Sequence, residues 1–310
     1  MRSDWTMIWK SSPMNRKSTK DINMSGPKKD LVYLYCVTDK KPLLKEEYPI
    51  TPLYKKGGIK DMHGVYSVAH SRLYAVVSKV FEDEFSKENL EKNLNDMKWL
   101  KIKVSTHENI IEEVMKENCV IPFKFATLFR TEDNLKACLN EHAEELIENL
   151  SYIKGKKEWG VKIYFNMDRL SNFLIKENGE ILALDHEIRS SSPGKAFLFR
   201  KKKEELIIKM ADRMIDRYIQ DCINSLNKQS LDICINKLLP KEITDREEKM
   251  ILNAVFLVKE NNVNTFMNTV NRIRRKYEKN GLFVDCTGPW PPYNFCNFYK
   301  KGVEKGIENA

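Results

Sequence analysis

"WGVKIYF", residues 159–165, alternates Trp159, Val161, Ile163 and Phe165 with Gly160, Lys162 and Tyr164. A period of two sends successive side chains to opposite faces, so this is a half-buried strand. The elements downstream of it decide the fold of the second half. A short helix is expected near "DRLSNFLIKE" (168–177), then a polar loop through "RSSSPGK" (189–195). A long helix carries the apolar stripe Ile207, Ala211, Met214, Tyr218 and Cys222. Two strands, "SLDICINKL" and "MILNAVFLVK", come next. A helix striped by Val263, Phe266, Val270, Ile273 and Tyr277 leads into a last strand, "GLFVDC", ending near Cys286. The order β-α-β-β-α-β is the ferredoxin-like arrangement, an antiparallel sheet with helices on one face.

Upstream of the turn "KGKKE" (154–158) the elements read β, β-β, α, β, α. "LVYLYCV" (31–37) is a strand, and "VYSVAHS" and "RLYAVVSKV" pair through a tight turn near Ser71. The loop before that pair holds Pro42, Pro49, Pro52, Gly57 and Gly58. "MKWLKIKVSTHENIIEEVM" is a helix with Leu100, Val104, Ile111 and Val114 on one stripe and His107 inside it. "CVIPFKF" (119–125) is a short strand. "TEDNLKACLNEHAEELIENL" is one helix, capped by Thr131. The expected class is α+β in two domains: an N-terminal mixed α/β domain over 31–157 and a ferredoxin-like domain over 158–298. Residues 1–30 lack apolar periodicity and are read as a flexible leader; residues 299–310 form a tail.

Of the 310 residues 42% are hydrophobic, enough for a sizeable core. The 53 Lys and Arg against 44 Asp and Glu give a formal charge of +9, a mild excess that favours anionic partners or solubility. Seven scattered cysteines, none in a C-x-x-C pair, suggest neither a disulfide framework nor a zinc site and fit a reducing cytosol. No apolar run approaches the roughly 20 residues that span a bilayer, so no membrane partner is expected. The first residues are too polar for a secretory signal.

No catalytic, cofactor or metal site is expected. His107 and His142 both fall on apolar stripes and read as packed histidines; His63, His70 and His186 have no metal-ligand spacing. "SPGKAF" (192–197) lacks the first glycine of a phosphate loop and has Ala196 where Ser or Thr would hold magnesium, so Pro193 and a preceding serine simply start a helix. The basic runs "RKKKEEL" (200–206) and "NRIRRKYEK" (271–279) keep RNA binding as an alternative, since a ferredoxin-like sheet is the RRM plan. The aromatic RNP1 pattern is missing and both runs lie on helices, which disfavours nucleic acid.

Taken together, "LVYLYCV", "MKWLKIKVSTHENIIEEVM", "VIPFKFATLF", "GKKEWGVKIYF", "SPGKAFLFRKKKEEL" and "TGPWPPYNF" (287–295) resemble, in order and spacing, the gas vesicle protein F/L (GvpL/GvpF) family. The resemblance spans about 31–298. Lys124 and Ala126 depart from it where Arg and Gly are expected, and Asn294 stands in place of Ser. The resemblance implies a non-enzymatic accessory protein of gas vesicle formation, cytoplasmic or vesicle-associated. Its implied partners are the small hydrophobic shell protein and other accessory proteins.

The terminal block also has its own physical reading. Pro289, Pro291 and Pro292 lack a backbone N–H and fix φ, so the strand should give way after Cys286 to a stiff extended segment. Trp290, Pro291, Pro292, Tyr293 and Phe295 are then candidates either for the seam between the two domains or for anchoring a partner.

Overall fold

The computed structural model describes residues 30–44, 64–244 and 246–296. The leader, the proline-rich loop from residue 45 to 63, and the tail lie outside them. The chain divides into two compact units at Gly155/Lys156: the second is Lys156–Pro289, and the first comprises the described residues before it together with those from Trp290 onward.

In the first unit β1 (Asp30–Thr38) lies between β3 (Leu73–Phe81) and β4 (Val120–Pro122), with β2 (Tyr66–His70) outside β3 and β5 (Leu128–Phe129) also paired to β1. All these pairings are antiparallel. Every residue of β1 from Val32 to Thr38 is buried, which is why its sequence is continuously apolar rather than alternating. β3 is followed by two short helices, α1 (Glu82–Phe85) and α2 (Lys87–Asn93), and by α3 (Met97–Glu117), whose first turn is capped by the Asp96 carboxylate. Ile110, Ile111 and Val114 of α3 pack with Tyr33, Tyr35, Cys36, Val76, Phe85 and Val120 into the core. The single helix expected after Thr131 is two, α4 (Glu132–Glu141) and α5 (Ala143–Ile153), because His142 leaves helical geometry at φ −107°, ψ 13°.

The second unit runs β6 (Lys156–Phe165), α6 (Met167–Glu177), α7 (Gly179–Ser190), α8 (Pro193–Asn227), β7 (Asp232–Ile235), α9 (Lys241–Thr244), β8 (Lys249–Lys259), α10 (Val263–Tyr277) and β9 (Leu282–Trp290). Its sheet has the order β7-β8-β6-β9, with β8 antiparallel to both its neighbours. Val161, Ile163 and Phe165 of β6 and Leu252, Ala254, Phe256 and Val258 of β8 point to one face. There they meet Phe266, Val270, Ile273 and Tyr277 of α10 and Ala211, Tyr218 and Cys222 of α8.

Two features of this unit depart from the expected order. The stretch from residue 179 to 190 is a helix, started by the Asn178 side chain accepting from the amides of Glu180 and Ile181. The last strand does not stop near Cys286 but continues to Trp290 through Pro289. Pro289 is tolerated because β9 is an edge strand, where a missing donor leaves no central ladder broken. Gly281, which precedes β9, has φ +86°, and a Cβ there would sit 2.8 Å from the Asn166 carbonyl oxygen. Glycine alone fits that approach.

Candidate functional site

The titratable groups drawn together in the first unit meet where α3, β1, the loop after β4 and the segment after β9 converge. His107, 1% exposed on α3, lies 3.0 Å through Nδ1 from the Tyr33 hydroxyl and 3.0 Å through Nε2 from the Phe123 carbonyl oxygen. A carbonyl only accepts, so Nε2 carries the proton and Nδ1 accepts from Tyr33. The Tyr33 oxygen in turn accepts from the Ala126 amide at 2.9 Å. Burial pulls His107 from its ordinary 6.5 to about 4, so the ring is neutral, in keeping with this tautomer.

Tyr293 closes the network from the far end of the chain. Its hydroxyl donates to Glu108 Oε1 at 2.9 Å and lies 3.2 Å from His107 Nε2 and 3.3 Å from the Phe123 oxygen. Burial pushes the Glu108 carboxyl from 4.5 to about 7; the Tyr293 hydrogen bond opposes this and the Glu112 charge adds to it. Glu108 Oε2 has no hydrogen-bond partner among the described residues. Aromatic rings wall the cluster: Tyr33, Tyr35 and Phe125 have centroids 5.7, 5.6 and 5.9 Å from the His107 ring. The arrangement fastens the segment after β9 to α3 by hydrogen bonds in a water-poor setting.

The loop supplying Phe123 and Ala126 is a turn closed by the Thr127 amide on the Lys124 oxygen. Ala126 sits in it at φ 62°. That is left-handed geometry, which favours glycine, and this chain carries the strain of an alanine there.

The five residues singled out after Cys286 fall as follows. Pro291, Pro292 and Phe295 are buried, the last 3% exposed. Tyr293 packs against the first unit's core and Trp290 is half-buried. The described residues from Trp290 to Cys296 group with the first unit. Glu108 follows the striped His107 directly, and that neighbourhood, weighed for acid-base chemistry and set aside in favour of packing, was its only local signal. His142 is half-buried, with Nδ1 3.8 Å from Glu145. Among the described residues no group of three or more His, Cys, Asp or Glu is placed to hold a metal, and no helix is long and apolar enough to cross a membrane.

The two basic runs differ in use. In the run from 271 to 279, Arg274 donates to the Val284 oxygen and Lys276 pairs with Asp221 at 2.8 Å. In the run from 200 to 206, Lys203 pairs with Asp185 at 2.5 Å, while Arg200, Lys201 and Lys202 are exposed. Aliphatic side chains also stand in solvent along the β7 edge: Leu231 is 47%, Ile235 55% and Leu238 50% exposed.

Fold and site define an α+β protein of two units, with the shifted His107 and Glu108 enclosed in the packing of the first. The family model "Gas vesicle synthesis protein GvpL/GvpF" matches residues 31–297. Gas vesicle protein F1 of Halobacterium salinarum is 25% identical over 245 residues, covering 78% of this chain and 85% of that one. Gas vesicle protein L of a Streptomyces species is 22% identical over 239 residues, covering 77% and 85%. The crystal structure of gas vesicle protein GvpF from Anabaena superposes with a TM-score of 0.58 at 18% identity, covering 86% of this chain and 98% of that one, and shares the fold. The chain belongs to the GvpL/GvpF family of gas vesicle accessory proteins, and its role lies in gas vesicle formation.

Proposed function

We propose that this chain acts without catalysis as an assembly factor in the cytoplasm, binding the small hydrophobic shell protein and other accessory proteins while the vesicle forms. The observation that carries the reading is the family match across residues 31–297. The exposed aliphatic edge at Leu231, Ile235 and Leu238 supplies a surface of suitable chemistry, since an apolar partner strand added there would be shielded from aggregation. Neither the Halobacterium nor the Streptomyces relative is named for nucleic acid, and the RNA alternative gains nothing from them.

Two structural readings accompany this. The second unit is ferredoxin-like: numbered within the unit, its strands lie in the order 2-3-1-4 with helices between the first and second and between the third and fourth. The segment Trp290, Pro291, Pro292, Tyr293 and Phe295 serves the first unit as a strap rather than as a partner anchor, a reading supported by the burial of Phe295 and the hydrogen bonds of Tyr293. The test of function is co-expression with the shell protein followed by pull-down from soluble and vesicle fractions. Co-purification that drops at least tenfold on Ile235→Lys supports the reading. Absence of the natural chain from every shell-protein pull-down, with other accessory proteins present, rejects it.

A further inference from the structure

The opening turns of α8 leave two large apolar side chains in solvent, Phe197 at 54% and Leu198 at 64% exposure. Lys195, Arg200, Lys201 and Lys202 surround them, all exposed. Among the described residues none of these four has an ion-pair partner, and the Lys201 ammonium instead lies 5.3 Å from the Phe197 ring centroid. An apolar pair ringed by unpaired cations is suited to an apolar partner that carries acids.

A matching surface exists on the same chain. Glu144, Glu148 and Tyr152 recur every four residues on α5 and are all exposed. Like charges at this spacing disfavour an isolated helix by a few tenths of a kcal/mol, and neither Glu144 nor Glu148 has a cation beside it among the described residues. Four residues advance a helix by about 6 Å. That is the step from Phe197 to Lys201 and from Leu198 to Lys202, and also from Glu148 to Tyr152. The order is apolar then charged on α8 and charged then apolar on α5. Antiparallel helices therefore bring Tyr152 onto Phe197 and Leu198, and Glu144 and Glu148 onto Lys201 and Lys202.

We propose that the opening turns of α8 dock the Glu144, Glu148 and Tyr152 face of α5 from a second copy of this chain, joining copies head to tail. The two faces differ, so the contact is heterologous, and each joined copy keeps one free face of each kind. The proposal is independent of whether the shell protein binds.

Sedimentation velocity on the full chain tests it, at about 1–100 μM protein, the range in which contacts of modest affinity fill. The average mass should rise with concentration in about 50 mM salt and fall to that of a monomer in about 1 M salt, where charges are screened beyond roughly 3 Å. Two double variants, Lys201→Glu with Lys202→Glu and Glu144→Lys with Glu148→Lys, change only exposed side chains, and each alone should be monomeric. Mixed in equal amounts they should associate again, because one retains a natural α8 face and the other a natural α5 face. A natural chain that stays monomeric at low salt overturns the proposal. So does either variant associating as the natural chain does, or a mixture that remains monomeric.

Discussion

Replacing Glu108 by Gln isolates the electrostatics of the buried network. The carboxyl titrates near 7 in the fold, against an ordinary 4.5, chiefly because it is buried. A carboxyl with the higher pKa in the folded state holds its proton more tightly there. Its contribution to stability is therefore full below pH 4.5 and is lost as pH rises towards 7, at about 1.4 kcal/mol per pH unit and about 3 kcal/mol in all. His107 has the opposite sign. Lowered from 6.5 to about 4, it contributes fully above pH 6.5 and loses that contribution as pH falls towards 4. Between 4.5 and 6.5 the two slopes offset one another. Glutamine keeps the oxygen that accepts from Tyr293 but cannot ionise. Glu108→Gln should match the natural chain near pH 4.5 and exceed it by about 3 kcal/mol at pH 8, raising the melting temperature of the first unit by roughly 5–10 °C there. Urea unfolding followed by tryptophan fluorescence at half-unit pH steps measures the difference. If that difference stays constant from pH 4.5 to 8, the carboxyl titrates normally and the reasoning is refuted.

Tyr293→Phe removes the donor to Glu108 Oε1 and should cost about 1–3 kcal/mol, more above pH 7 than at pH 5, by the same unfolding assay. Ala126→Gly relieves a left-handed alanine at φ 62° and should stabilise the first unit by up to about 1 kcal/mol, after allowing for the greater freedom of glycine in the unfolded chain; a loss of stability would show that the turn holds no strain. Gly281→Ala drives a Cβ to 2.8 Å from the Asn166 oxygen and should cost about 2 kcal/mol or more, read as a lower melting temperature of the second unit.

Elements whose burial follows a simple period were legible in advance. The α10 stripe Phe266, Val270, Ile273 and Tyr277 is the face that packs, and the alternation in β6 selects the inward residues Val161, Ile163 and Phe165. Elements that bury little were not. Of the twelve residues of α7 only Ile181 is buried, so no stripe announces the helix, although the Asn178 cap was there to be read. The continuation of β9 through Pro289 was hidden because proline argues against a central strand, and only the sheet order places this strand at the edge. The network around His107 was half visible. Its stripe position forecast burial, but Tyr293 lies 186 residues away, and no local pattern connects the two.

The return of the described residues Trp290 to Cys296 to the first unit makes that unit discontinuous, with the second inserted into it. On a ribosome the inserted unit is the one synthesised as a single uninterrupted piece. The outer unit must wait, after Gly155 is made, for the roughly 140 residues that precede the strap, on the order of ten seconds at ordinary rates of synthesis. During that interval the ring of Tyr293 is not yet present, and Glu108 and the edge of α3 beside it are open to water and to whatever holds nascent chains. A chain released before its last stretch would present a complete inserted unit and an unlatched outer one.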